Sequence, residues 1–157
     1  MVELRPENPR AIIDRRGIAD ALASLAPGPD RNGFAGKLLR GAMEQGRAEV
    51  ARRLSLEPDR GRAAARATAY LHDQLVRLVY DFIIAGGAAG PMALVALGGT
   101  ARGEMAPFSD LDLMFLTPAK PSAAQEKAVE ALLHLMWDLK LKVGHSIRSV
   151  ADLIALA

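Results

Sequence analysis

The chain has 157 residues, 50% hydrophobic and 24% charged, with a formal net charge of +2, which is typical of a globular domain. It contains no cysteine, which excludes disulfides and thiolate metal sites, and its histidines, His72, His134 and His145, lack zinc-site spacing. No apolar stretch is long enough to span a bilayer, and the first residues lack the apolar core of a secretory signal. We therefore expect a cytoplasmic protein with no membrane partner.

Positive charge is concentrated in the first part of the chain. Residues 1–69 contain 13 Lys/Arg and 9 Asp/Glu, whereas residues 70–157 contain 7 and 9. Neither part has a dense basic run interleaved with aromatic residues, and aromatic residues make up only 4% of the chain. Proteins that bind nucleic acid through charge and base stacking normally show both features, so we expect no nucleic-acid partner.

Residues 1–90 are predicted to be helical. A short helix in residues 14–26 ends at "PGPD", where Pro and Gly break it. A second helix is predicted over residues 36–56, with an apolar stripe that Gly41 and Gly46 interrupt. A third covers residues 59–87 and ends at Gly86-Gly87. Its apolar residues recur at helical spacing and predict a core-facing side: Leu71, Leu75, Leu78, Val79, Phe82 and Ile83.

The period changes after residue 90. Residues 92–97 are a short apolar run between Gly-containing turns, typical of a buried strand, and residues 111–117 and 143–149 predict two more strands. Residues 121–142 predict a helix that begins with a capping box formed by Ser122 and Gln125 and buries Trp137. Ser149 is predicted to cap a last helix.

We therefore predict an α+β fold in which an N-terminal helical region is followed by a small mixed sheet with flanking helices. The helical lead-in covers residues 1–90, and a core that we expect to be truncated at its C-terminus covers residues 91–157.

Two aspartates stand at the start of the second predicted strand. Asp110 and Asp112 are two residues apart, so in a strand their side chains lie on one face and the apolar residues Leu111, Leu113 and Phe115 lie on the other. Converging carboxylates repel each other unless a cation lies between them. Compact sites of hard oxygen ligands favour Mg²⁺ or Mn²⁺, often shared with phosphate groups.

A candidate phosphate site precedes these aspartates. The turn Gly98-Gly99 lets a phosphate approach the backbone N–H groups, Arg102 can bind a phosphate with its planar guanidinium, and Ser109 adds a hydroxyl. Each feature alone is common. Their order within fifteen residues indicates phosphoryl transfer by positioning and charge neutralisation.

The segment "GGTARGEMAPFSDLDLMFL" resembles the signature of the polymerase-β-type nucleotidyltransferase superfamily. Together with "WDLKLKVGHSIRS", it is most similar to bifunctional uridylyltransferase/uridylyl-removing enzymes, which modify the PII nitrogen-signalling protein. The resemblance implies transfer of UMP from UTP to a tyrosine of PII, with release of pyrophosphate. It also implies that Asp110 and Asp112 are catalytic and hold the metal ions, and that Gly98, Gly99, Arg102 and Ser109 contact the triphosphate.

The sequence departs from this pattern in two ways. Thr100-Ala101 stands where these enzymes have an aromatic residue after the glycines, and no third carboxylate is evident, because Asp138 and Asp152 are predicted to be helical. The resemblance does not extend to the phosphohydrolase and glutamine-sensing domains of the family, so we expect neither uridylyl removal nor glutamine sensing from these residues.

Two further polar residues have open roles. Glu104 fits either an ion pair with Arg102 or a functional role. His145 is predicted to be a polar residue on a strand with its hydrogen bonds satisfied.

Three alternative functions remain open. The first is another nucleotidyltransferase of the superfamily, such as a glutamine-synthetase adenylyltransferase or an antibiotic-modifying enzyme. The second is a nucleotide-binding module without catalysis. The third is a helical interaction domain in which the glycines and aspartates are incidental.

Overall fold

Helices form the first part of the chain, and strands appear only after residue 92. The computed structural model describes residues 5–85 and 89–156. Residues 5–85 contain four helices: α1 (Pro9–Ile12), α2 (Arg15–Ala23), α3 (Arg31–Leu56) and α4 (Gly61–Ala85). Strands and shorter helices follow: β1 (Ala93–Ala96), α5 (Gly98–Arg102), β2 (Leu111–Leu116), α6 (Ala123–Asp138), β3 (Val143–Arg148) and α7 (Val150–Leu156). The predicted α+β class is confirmed.

The three strands form one mixed sheet in the order β1-β2-β3. β1 is antiparallel to β2, whereas β3 is parallel to β2 and is reached through α6. In the parallel pair Asp112 is opposite Gly144, and Leu113 is opposite His145. The mixed sheet agrees with the prediction, and its register determines which residues surround Asp112.

The prediction that residues 92–97 form a buried strand is wrong in one respect. The strand is present, but Ala93 and Ala96 are exposed and Leu94 and Val95 are only half-buried. The reason is that β1 lies at an edge of the sheet and has a single neighbour. β2 is the central strand, and its Phe115 is fully buried.

Helix α3 is longer than predicted. It begins at Arg31 rather than at residue 36 and continues through Gly41 and Gly46 without a break. A Cβ at Gly46 would lie 2.5 Å from Cδ1 of Leu71 and 2.8 Å from the carbonyl oxygen of Ile12. The missing side chain therefore allows α3 to pack closely against α4 and α1.

Helix α4 supplies much of the core. Ile83 of its predicted stripe is half-buried. The other five residues of the stripe are buried: Leu71, Leu75, Leu78, Val79 and Phe82. The stop predicted at Gly86-Gly87 lies outside the described residues. The division into residues 1–90 and 91–157 stays a prediction, and one buried cluster contains residues from both sides of it.

The predicted helix starts at Ser122 and Ser149 are confirmed. The Ser122 N–H donates to Oε1 of Gln125 at 2.8 Å, and the Gln125 N–H donates to Oγ of Ser122 at 3.2 Å. Oγ of Ser149 likewise accepts from the Asp152 N–H at 3.2 Å.

Trp137 was predicted to be buried, but it is 44% exposed. Its ring lies edge-on to that of His145, with 6.3 Å between the ring centroids.

None of the helices in the described residues combines the length and the hydropathy that crossing a bilayer requires.

Candidate active site

Asp112 occupies an exposed position on the central strand. Its neighbours Leu111 and Leu113 are buried, as the predicted alternation of faces requires. Asp110 is exposed as well, but β2 begins at Leu111, so Asp110 belongs to the preceding loop rather than to the strand. Both carboxylates are therefore exposed at the start of a strand whose apolar residues hold it in the core.

Two glycines enclose the Asp112 carboxylate. A Cβ at Gly98 would lie 2.7 Å from Oδ2, and a Cβ at Gly144 would lie 3.1 Å from Oδ1. Gly98 also has a φ of +52°, a left-handed conformation that residues with a side chain rarely adopt. The close approach of Gly98 to Asp112 was not part of the sequence prediction, and neither was any role for Gly144. Gly144 lies opposite Asp112 because of the strand register, which the sequence does not reveal.

Thr100 attaches the short helix α5 to β2. Its Oγ1 accepts a hydrogen bond from the Asp112 N–H at 3.2 Å, and the Asp112 carbonyl accepts from the Leu97 N–H at 2.8 Å. The departure from the family pattern at this position thus supplies a contact that sequence reasoning missed.

The first N–H of α5 that donates to a backbone carbonyl is that of Ala101, which is bonded to the Leu97 carbonyl at 2.9 Å. The N–H groups of Gly98, Gly99 and Thr100 precede it, as at the start of any helix.

Arg102 ends α5 and lies beside the glycine turn. Its Nη2 is 3.9 Å from the position that a Cβ would take on Gly99. Of the two roles left open for Glu104, the ion pair with Arg102 is not formed; Oε1 of Glu104 instead meets the guanidinium of Arg62 on α4 at 3.0 Å. This ion pair connects the loop between α5 and β2 to α4.

The loop between α5 and β2 carries the remaining predicted residue, Ser109. Met105, 2% exposed, anchors this loop through its N–H, which donates to the Ala65 carbonyl at 3.2 Å. Phe108 is 79% exposed and has a φ of +66°. In the described part of the chain, no hydrogen bond joins the side chains of Ser109 or Asp110 to other site residues. The structure thus brings together Gly98 and Asp112, and Gly99 and Arg102, while Ser109 and Asp110 lie on the adjoining loop.

His145 lies on β3, as predicted, but its expected hydrogen bonds are absent from the described part of the structure. It is exposed, and its ring lies edge-on to Trp137 and to Phe115, with 6.5 Å between the centroids of His145 and Phe115. Its surroundings are aromatic rather than polar.

The donor set at Asp110 and Asp112 suits a hard cation that shares its ligands with a phosphate. Across residues 5–85 and 89–156, no group of three or more His, Cys, Asp or Glu side chains could hold a metal ion alone. Asp138 and Asp152 lie in α6 and α7, as predicted, and supply no third carboxylate there. Two exposed carboxylates leave coordination positions for substrate oxygens, which is how Mg²⁺ is usually bound beside phosphates.

Replacing Gly98 by alanine should disturb the Asp112 carboxylate directly. The new Cβ would meet Oδ2 at 2.7 Å, and the left-handed backbone would add a strain of about 1 kcal/mol. We expect Gly98→Ala to weaken the Mg²⁺-dependent nucleotide binding that the sequence predicts for this site at least tenfold, measured by calorimetry. Gly33→Ala is the matched control, because nothing beyond its chain neighbours and the nearby backbone of its own helix lies within 4 Å of its Cβ position. Equal affinities for Gly98→Ala and the parent would show that the position of this carboxylate is unimportant.

The chain resembles curated bacterial enzymes over nearly its whole length. It is 46% identical to the bifunctional uridylyltransferase/uridylyl-removing enzyme of Novosphingobium aromaticivorans, over 98% of this chain and 18% of that enzyme. Enzymes with the same description match from Rhodospirillum rubrum (39% identity, 98% of this chain and 18% of the enzyme) and Azospirillum brasilense (41%, 94% and 17%). The chain therefore spans less than a fifth of the length of these relatives.

These matches confirm the resemblance predicted from the motifs. No solved structure matches the chain significantly. Residues 45–145 match the DUF294 nucleotidyltransferase family, and this range includes α4, the glycine turn and both aspartates. On this match, the chain belongs to the DUF294 family of nucleotidyltransferases.

Proposed function

We propose that this chain forms the nucleotide site of a uridylyltransferase, which transfers UMP from UTP to a tyrosine of a PII protein and releases pyrophosphate. In this reaction the tyrosine oxygen bonds to the α-phosphorus, the bond from that phosphorus to the pyrophosphate oxygen breaks, and the hydroxyl proton is lost. The observation that carries the proposal is the solvent-exposed carboxylate of Asp112, which has Gly98 of the glycine turn on one side and Gly144 on the other.

The two aspartates would hold Mg²⁺ or Mn²⁺. The backbone of Asp112 is fixed by β2 and by the hydrogen bond from its N–H to Thr100, which places its carboxylate between Gly98 and Gly144. Asp110 lies on the flanking loop, where its carboxylate can adjust to a nucleotide. Such a cation neutralises phosphate charge and orients the phosphates for displacement.

The other site residues would bind the triphosphate. Gly98 and Gly99 have no side chains to block approach to the N–H groups at the start of α5. Arg102, next to Gly99, can donate two parallel hydrogen bonds to a phosphate, and the Ser109 hydroxyl can donate one more. Together these groups supply several donors beside the two carboxylates.

The choice of UTP and of a PII acceptor rests on the relatives. Several relatives, 37–46% identical to this chain, are bifunctional uridylyltransferase/uridylyl-removing enzymes. The segment "WDLKLKVGHSIRS", which carries the more specific resemblance, forms the end of α6 and all of β3. It therefore lies in the strand beside Asp112. A cytoplasmic location belongs to the same proposal.

A second candidate is nucleotide binding without turnover. It is favoured by the lack of a third carboxylate beside Asp110 and Asp112 among the described residues. Binding and transfer must therefore be measured separately.

Calorimetric titration of the chain with UTP and with ATP, each with and without Mg²⁺, tests the proposal. We expect Mg²⁺ to strengthen UTP binding and UTP to bind more tightly than ATP. Transfer can be measured in a chimera in which residues 5–156 replace the matching segment of the N. aromaticivorans enzyme, with labelled UTP and PII. Tighter ATP binding would favour an adenylyltransferase, UTP binding without transfer would favour the second candidate, and no binding of either nucleotide would contradict both.

A further inference from the structure

An arginine-lined cavity lies apart from the candidate active site, between the segment before α1, the C-terminal half of α3 and the first turns of α4. Its volume is 480 Å³, within the range of small-molecule sites. Six arginines line it: Arg5, Arg52, Arg53, Arg60, Arg62 and Arg66. Three glutamates line it as well, Glu7, Glu49 and Glu57, so the cavity wall carries an excess of three positive charges.

The glutamates are occupied by three of these arginines. Glu49 accepts from Arg52 and from Arg53, each at 2.8 Å. These hydrogen bonds, that from Arg52 first, lower the pKa of Glu49 to about 2, so it remains a carboxylate at any ordinary pH. Glu57 and Glu7 both accept from Arg60, at 2.7 and 3.4 Å.

The other three arginines find no carboxylate on the cavity wall. Arg62 meets Glu104, which lies outside the cavity, at 3.0 Å. Arg5 forms no ion pair within residues 5–85 and 89–156. Arg66 is half-buried, and its Nε is fully buried with no hydrogen-bond partner among those residues. Arg66 also forms no ion pair among those residues, so no carboxylate of the described chain neutralises its charge at the cavity wall.

We propose that this cavity binds the phosphate group of a small phosphorylated molecule, at a site distinct from the nucleotide site. Guanidinium groups bind phosphate through paired N–H donors, and Arg66 brings to the cavity wall a guanidinium that has no ion-pair partner among the described residues. The proposal does not depend on the function proposed above, since none of the cavity residues belongs to the nucleotide site.

Calorimetric titration of the chain with inorganic phosphate, at constant ionic strength set by chloride, tests the proposal. We expect saturable binding that weakens at least tenfold in Arg66→Gln. Arg66→Lys should recover only part of the affinity, because lysine keeps the charge but lacks the planar pair of donors. Arg77→Gln is the matched control, since Arg77 also lies on α4 but pairs with Asp73 at 2.9 Å away from the cavity.

Arg102→Gln separates this cavity from the nucleotide site. Phosphate binding that survives in Arg102→Gln and is lost in Arg66→Gln would support the proposal. Phosphate binding that is lost in Arg102→Gln and retained in Arg66→Gln would overturn it, since the anion would then occupy the nucleotide site. Binding that does not saturate, or that chloride abolishes equally in all variants, would overturn it too, because it would be general screening of surface charge.

Discussion

Asp112→Asn should remove the gain in UTP affinity that Mg²⁺ provides and reduce transfer by about 10²–10³-fold, the usual cost of removing one preorganised electrostatic group. Asparagine keeps the shape of the side chain, so it fits between Gly98 and Gly144, but it removes the charge that would hold the cation. The loss of UTP affinity in this variant should be seen only when Mg²⁺ is present. Without Mg²⁺ the variant should bind UTP at least as tightly as the parent, because it lacks the negative charge that repels the triphosphate, and calorimetry can measure this directly.

The fold should tolerate this substitution. Asp112 is exposed, and its recorded hydrogen bonds within the described residues are made by its backbone N–H and carbonyl, which asparagine retains. Asp138→Asn is the matched control, as an exposed aspartate at the end of α6. If Asp112→Asn kept the effect of Mg²⁺ on UTP binding, the assignment of the metal to this carboxylate would be wrong. If Asp138→Asn also lost the effect of Mg²⁺ on UTP binding, that effect would not report on the candidate site.

Local sequence patterns predicted the strand that contains Asp112 and the start of α6. The alternation around Asp112 follows from the two-residue period of a strand, and the capping box at Ser122 and Gln125 follows from hydrogen bonds three residues apart. The strand that contains His145 was also predicted. These features depend on neighbours within a few residues, which a sequence displays directly.

Contacts between distant residues could not be predicted in the same way. Glu104 lies two residues from Arg102, but its partner is Arg62, forty-two residues earlier on α4. Gly144 encloses Asp112 only because β3 pairs in parallel with β2 in one particular register. A sequence does not state a register or the packing of two elements, so these parts of the site required the structure.

Burial was the other source of error. The apolar run at β1 predicts a buried strand, but an edge position leaves it half-exposed. Trp137 fits the apolar stripe of α6 by spacing, yet it lies in the last turn, where it meets the exposed ring of His145. In both cases the apolar pattern identified the element correctly and the tertiary position set its exposure.

The stability of the protein should fall as the pH drops below 6.5, because of His72. This side chain is 2% exposed, and neither ring nitrogen finds a hydrogen-bond partner among the described residues. Burial, and secondarily the charge of Arg47, lowers the pKa of His72 from 6.5 to about 4. Between these two values the unfolded chain binds a proton that the folded chain does not, so the free energy of unfolding decreases as the pH falls.

The pKa difference corresponds to about 3 kcal/mol over the whole interval, of which about 2 kcal/mol should be lost between pH 6.5 and pH 5. Urea unfolding at pH 7 and pH 5 measures this loss. His72→Leu should remove most of it, because leucine fills a similar volume and has no group to protonate, while the exposed His134→Gln should behave like the parent. An equal loss of stability in His72→Leu and the parent would assign the acid sensitivity to other groups. The carboxylates of Asp14, Glu49 and Asp152, whose pKa values are lowered by hydrogen bonds, contribute mainly at lower pH, where the unfolded chain protonates them. Among these groups the buried histidine therefore accounts for most of the loss between pH 6.5 and pH 5.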